Sequence, residues 1–450
     1  MSFSILSNSR TPPGDQKEFA RSLFAGVMDE LNVSRRLQGC FVVEGGLLKL
    51  GTDRFDLDSF SKVLLVAVGK AAVPMAAHAI DVLRPVISVS GVVVGIGEWA
   101  PPKDIIYFTG GHPLPDDQSF DAGFALLEEM RHADADTLVL FLISGGASAM
   151  AEAPLDPEIP HSEVIDFYRL LLHSGLPIEK TNVLRKHLSA IKGGRLALAA
   201  AGATFYTVLI SDVPPGMLDV VGSGLSLPDS STVEDCQKLL SETPALALVP
   251  PRVGAFFHRM PETPKVLPDG RYPSLCYSVL SSDSMLEAAR FLADEAGYRV
   301  IIDNTCDDWD YRDAAAHLLS RVQEESSSTD HVCVFSAGEV TVSIKGRAGR
   351  GGRNQQWALE VARLLVGMTG IVALSAGSDG IDGNSPAAGA VVDSTTWSRA
   401  LEQGIDPRRA LDDFDTYPLF AALGDALVQG PSGNNVRDIR MLLMHVQTES

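Results

Sequence analysis

The chain has 450 residues, 45% of them apolar and 21% charged, with a formal net charge of −20. This composition supports sizeable buried cores and excludes a disordered tail, and the acidity excludes a broad face for nucleic acid or anionic membrane. Five cysteines without a CxxC pair, no signal-peptide pattern at the start and no apolar run long enough to span a bilayer lead us to expect a reducing, cytoplasmic location without a disulfide framework.

Short apolar, β-branched runs alternate with amphipathic stretches. Buried strands are expected over 62–68, 92–97, 104–109, 137–143 and 204–210, with helices over 71–83, 117–132 and 161–173. Alternation of this kind implies a mostly parallel sheet covered by helices. Prolines then crowd the segment 229–273, which marks a domain junction. Beyond it come strands over 275–280, 298–303 and 331–336, helices over 283–296 and 311–325, and a further strand in "VTVSI", 340–344. Two α/β domains across a cleft are expected, the first over 16–260 and the second over 270–445.

Ligands of open parallel sheets bind beyond the carboxyl ends of the strands. At those positions "VAVGKAA" presents Lys70, "FLISGGASAM" presents Gly145, Gly146 and Ser148, "VLISDVPPG" presents Asp212, and "VALSAGSDGIDG" presents Asp379 and Asp382. Glycine there lets backbone N–H groups approach an anion. In "NVLRKHLSAIKGGRLA" the spacing places Arg185 and Lys192 on one helix face, Lys186 in solvent, and Gly193–Gly194 as the stop. The stretch "KGRAGRGGRNQQ" gathers Lys345, Arg347, Arg350 and Arg353 among glycines and leads into an apolar helical pattern. Arginines at a helix N-terminus are locally unfavourable, so a bound phosphate or carboxylate is expected to meet them. Phosphate-loop, dinucleotide, HExxH and G-x-S-x-G signatures are all missing. His112, in "GGHPLPDD", is an acid–base candidate or a structural turn residue.

Taken in this order, "VAVGKAA", "GGHPLPD", "ISGGASA", "NVLRKHLSAIKGGRLA", "SDVP", "AGEVTVSIKGRAGRGGRNQ", "DGIDG", "AAGAVVD" and "GPSGNNVRD" resemble the class II glycerate 2-kinases, the family with a MOFRL-type C-terminal domain. The resemblance covers nearly the whole chain. It implies a Rossmann-like three-layer N-terminal domain, a smaller α/β MOFRL-type C-terminal domain, and ATP-dependent phosphorylation of the 2-hydroxyl of D-glycerate or a related hydroxy acid with Mg²⁺. It matches Lys70 and Arg353 to the family's active-site lysine and arginine. Asp212 joins them as a catalytic candidate. Gly145, Gly146, Ser148, Arg185, Lys192, Asn354 and Asn435 are then candidates for substrate and phosphate, and Glu339, Asp379 and Asp382 for the metal. A homodimer is allowed. A hydroxypyruvate reductase and a silent metabolite-binding homologue are the alternatives. Ala147, Leu225, Ser378, Asp283 and Pro386 depart from the family pattern in loops expected to face ligand.

Overall fold

The computed structural model describes residues 15–200, 202–211, 213, 217–266, 276–325, 331–344, 346 and 348–445. Val33–Val279 forms one compact unit; the other joins the described residues up to Asn32 to those from Leu280 onward.

The first unit opens with an antiparallel meander of β1 (Phe41–Glu44), β2 (Leu47–Leu50) and β3 (Asp53–Asp56). The Tyr206 hydroxyl ties it down by donating to Asp53 Oδ2 at 2.7 Å. The main sheet holds β4 (Lys62–Val68), β5 (Ser88–Gly95), β6 (Ile105–Thr109), β7 (Thr137–Ile143), β8 (Thr204–Ile210) and β9 (Cys276–Leu280), in the order β6-β5-β4-β7-β8-β9. From β6 to β8 every pairing is parallel. Residues of β7 are buried without exception, and β4 is buried after Lys62. Such strands read as continuous apolar runs because helices cover both faces.

The chain steps outward from β4 to β5 and β6, then returns to place β7 on the other side of β4. That reversal opens a crevice beyond the ends of β4 and β7. The two loops there lock together: Lys70 N–H donates to Gly145 O at 2.9 Å, and Ala71 N–H donates to Ser144 Oγ at 3.0 Å. Gly69 has φ +126°, and a Cβ on it would sit 2.4 Å from Ser144 Oγ, so this approach requires glycine.

The second unit is a mixed sheet of β10 (Arg299–Ile302), β11 (Val332–Ala337), β12 (Ile371–Gly377), β13 (Gly389–Asp393), β14 (Ala426–Leu427) and β15 (Asp438–Met444), ordered β10-β11-β15-β12-β13-β14. The last strand slots between β11 and β12, antiparallel to both. The helix Gln16–Glu30 packs here, not with the residues that follow it. Its buried stripe includes Phe19, Leu23, Phe24 and Val27; Phe19 stacks on Tyr298 at 5.3 Å, and Lys17 Nζ pairs with Asp425 at 2.9 Å.

Two expectations of detail are corrected. Residues 340–344 form no strand; only Thr341 bridges, to Asp310, because β15 occupies the neighbouring place in the sheet beside β11. The helix carrying Arg185 ends at Leu188, with Ser189 already extended, so Lys192 does not share its face.

Backbone proximity sets a testable contrast. A methyl on Gly389 would lie 1.8 Å from the Ser375 carbonyl oxygen of the adjacent strand, and Gly389→Ala should cost about 1–3 kcal/mol. Gly39, in the helix Val33–Cys40, has nothing within 4 Å, and Gly39→Ala should add about 0.5–1 kcal/mol. The midpoints of urea unfolding should move in opposite directions.

Candidate functional site

Beyond β4 and β7 lies a cavity of about 360 Å³ whose wall includes His112, Gly145, Gly146, Ser148, Asn182 and Arg185. No aspartate or glutamate is among its described lining residues. Lys70 stands beside it, since a Cβ on Gly146 would lie 3.3 Å from Lys70 Cγ and 3.2 Å from the His112 ring. Lys70 has no carboxylate partner among the described residues. Arg185 is buried, and its Nε has no hydrogen-bond acceptor. The guanidinium lies over the Tyr168 ring, 4.7 Å from its centroid. A buried donor left without an acceptor costs roughly 1–3 kcal/mol, and more when it is charged; an anion in the cavity would offset that. Burial, then the charges of Lys70 and Arg185, hold His112 below the usual histidine range, so it is neutral at pH 7. Ser148 shares a 2.7 Å hydrogen bond with Ser223, whose hydroxyl donates to Asn182 at 2.8 Å.

The neighbouring cations are already neutralised. Lys192 is fully buried; its Nζ donates to Glu152 Oε2 at 2.7 Å and to Ala151 O at 3.0 Å. It is therefore no phosphate ligand as the structure stands. Lys186, expected in solvent, is buried against Asp219 and Asp229 at 3.0 and 3.1 Å. The signal for the first pair was a single Glu152 in the apolar run "ASAMAEA", since a charge placed there must find a partner.

In the second unit the glycine-rich stretch runs into the helix Arg353–Leu364. Lys345 and Arg347 lie outside the described residues, as does Asp212. The anion that meets the helix N-terminus belongs to the protein. Asp382 accepts from the backbone N–H groups of Asn354 and Gln355 at 3.0 and 2.9 Å and from both side-chain amides. Burial pushes its carboxyl up to about 6, against the pull of those donors. Arg353 is held through two nitrogens by Asp438 and by Glu339 at 2.8 Å. Burial opposes its charge, but Asp438 and Glu339 outweigh burial and leave it more firmly protonated than usual. Arg437 pairs with Asp307 at 2.6 and 2.8 Å, extending a lattice of arginines and carboxylates. A cavity of about 600 Å³ adjoins Arg353, walled partly by Val340, Val342, Ile344 and Phe414.

The expected metal trio does not assemble. Asp382 caps the helix, Glu339 pairs with Arg353, and Asp379 accepts from Ile381 N–H at 3.0 Å. Among the described residues no group of three or more His, Cys, Asp or Glu side chains is placed to hold a metal ion. Asn354 is likewise committed, accepting from Ser375 Oγ at 2.6 Å while donating to Asp382. The Asn435 side chain accepts from Arg437 N–H at 3.0 Å.

Of the family departures, Ala147 and Leu225 point into the core of the first unit. Ser378 is buried and accepts from Val436 N–H at 2.8 Å. Asp283 lies exposed in the first turn of the helix Ser282–Glu295, where a negative charge is favourable. Pro386 is exposed beside buried Ala387.

Comparison with known proteins agrees with this architecture. Residues 19–258 match the family described as a domain of unknown function (DUF4147), and residues 332–438 match the MOFRL family. D-glycerate 2-kinase of Thermotoga maritima is 35% identical over 85% of this chain and 90% of its own length. An Agrobacterium vitis protein that carries a provisional hydroxypyruvate reductase name is 35% identical over 85% and 87%. A crystal structure of glycerate kinase from Thermotoga maritima superimposes with a TM-score of 0.82 at 32% identity, covering 96% of this chain and 100% of that one. The chain belongs to the glycerate 2-kinase family with a MOFRL domain.

Proposed function

We propose that this protein transfers the terminal phosphoryl group of ATP to the 2-hydroxyl of D-glycerate or a closely related small hydroxy acid. With this reading go a cytoplasmic location and Mg²⁺ carried on the nucleotide phosphates, where substrate oxygens complete most of its shell. The observation that carries the reading within this family is the switch-point cavity: Lys70 and Arg185 approach it unpaired, and none of its described lining residues is acidic. A cavity of about 360 Å³ suits a small acid, whose carboxylate can take two guanidinium hydrogens from Arg185. The Ser148–Ser223–Asn182 chain offers hydroxyl and amide partners to the acid's hydroxyls.

Phosphoryl transfer depends on positioning and on cations facing the charge that spreads over the moving group. We assign that electrostatic role to Lys70, with Gly145 and Gly146 allowing close approach, and Arg353 keeps its place as a catalytic candidate. His112, neutral at pH 7, can accept a proton from an acceptor hydroxyl or hold it by hydrogen bond. Asp212 keeps its place as a candidate base.

Purified protein with ATP, Mg²⁺ and D-glycerate should release ADP and form 2-phosphoglycerate, identified by phosphorus NMR. Silence across glycerate, tartronate and sugar acids would refute the reading, and nicotinamide oxidation with hydroxypyruvate would favour the reductase. Arg185→Gln should raise the KM for the acid by roughly 10- to 100-fold, the worth of charge-assisted hydrogen bonds. Lys70→Ala should instead lower kcat by about 100-fold or more.

The pH dependence has a definite sign. The free-state pKa of His112 is depressed below 6.5 by burial and by Lys70 and Arg185. A bound anion screens those charges and raises the pKa, so binding takes up a proton. Acid affinity should therefore tighten as pH falls from the ordinary histidine range toward the depressed value. Calorimetric titrations across that window, with the His112 ring followed by proton NMR, measure it.

A further inference from the structure

Arg185 has neighbours that the reaction itself does not need. Glu152, Tyr168 and Lys192 are all buried. The Tyr168 hydroxyl donates to Glu152 Oε2, and Lys192 Nζ donates to the same oxygen at 2.7 Å. The other carboxylate oxygen, Oε1, accepts from Ala153 N–H at 2.9 Å. Glu152 is thus saturated by three donors, and its charge is balanced by one ammonium. Tyr168, oriented by that carboxylate, turns its ring face to the Arg185 guanidinium at 4.7 Å. The Tyr168 hydroxyl also approaches the carbonyl of Ser148, a cavity residue, at 3.2 Å.

An arginine can be held in place by a carboxylate or by an aromatic face. A carboxylate neutralises it, as Asp438 and Glu339 do for Arg353. An aromatic face holds it by cation–π attraction and leaves its charge and N–H groups free. We infer that Lys192, Glu152 and Tyr168 form a positioning chain: Lys192 neutralises Glu152, Glu152 orients Tyr168, and Tyr168 holds Arg185 unpaired and aimed at the cavity. The inference rests on the proposed reading only in naming the anion that Arg185 meets as the hydroxy acid. Lys192 is then a positioning residue acting through Arg185.

The chain predicts a pattern that packing alone would not give. Lys192→Met leaves Glu152 unbalanced, free to draw Arg185 toward itself. The KM for D-glycerate should rise by roughly tenfold or more while kcat changes by less than about threefold, and the His112 pKa should rise as the Arg185 charge leaves. Glu152→Gln added to Lys192→Met removes both charges and should return both readouts toward wild type. Should Lys192→Met fail to fold, the Tyr168 pair decides. Tyr168→Leu should raise the KM and the His112 pKa most, and Tyr168→Phe, which keeps the ring face but loses the hydroxyl that Glu152 orients, should move both in the same direction by less. An unchanged KM and unchanged His112 titration in Lys192→Met or Tyr168→Leu would overturn the proposal. So would a double variant no closer to wild type than Lys192→Met. The His112 titration needs no turnover, so it decides the positioning chain even if the wild-type protein phosphorylates no acid.

Discussion

Uncompensated positive charge in a low-dielectric pocket is the constraint on which the first unit's site depends. Arg185 is buried, lacks an acceptor on Nε and rests against an aromatic ring instead of an acid. Glu152, bonded to the same Tyr168, is itself occupied by Lys192, the Tyr168 hydroxyl and a backbone N–H. The sheet supplies the rest. Reversal of strand order between β4 and β7 opens the crevice, and Gly69 lets the two loops close to hydrogen-bonding distance, bringing Lys70 beside Gly145 and Gly146.

The second unit handles its cations in the opposite way. Arg353 is clamped by Asp438 and Glu339, Arg437 by Asp307, and the helix N-terminus behind Arg353 by Asp382. A guanidinium fixed in this manner is pre-oriented and loses little rotamer freedom when a ligand arrives, but its charge is largely spent at rest. Contact with a phosphate there requires sharing Arg353 with, or releasing it from, one of its carboxylates. The two arginines therefore differ in what they hold at rest: Arg185 lies against a ring with no acceptor on Nε, and Arg353 is shared between two carboxylates.

The resemblance to the family was legible because its motifs are glycine-rich loops at strand ends, where backbone geometry restricts the residue type. Strand limits at 62–68, 137–143 and 204–210 were legible for a related reason: strands buried on both faces admit few polar residues, so the apolar run and the element coincide. Misreadings came where a side chain's partner is distant in sequence. Lys186 and Lys192 read as exposed or ligand-facing helix cations, but their acids arrive from residues 219, 229 and 152. The basic glycine loop read as a site awaiting an anion, yet Asp382, from the loop after β12, already fills that role.

Local sequence determined most element types, the parallel sheet of the first unit and the presence of glycine at the close approaches, because these follow from burial and backbone freedom within a few residues. Tertiary structure alone decided which cations keep their charge. That outcome depends on which carboxylate, ring or carbonyl the fold brings within 3–5 Å of each one, a distance over which electrostatic interaction in a buried setting dominates any local preference.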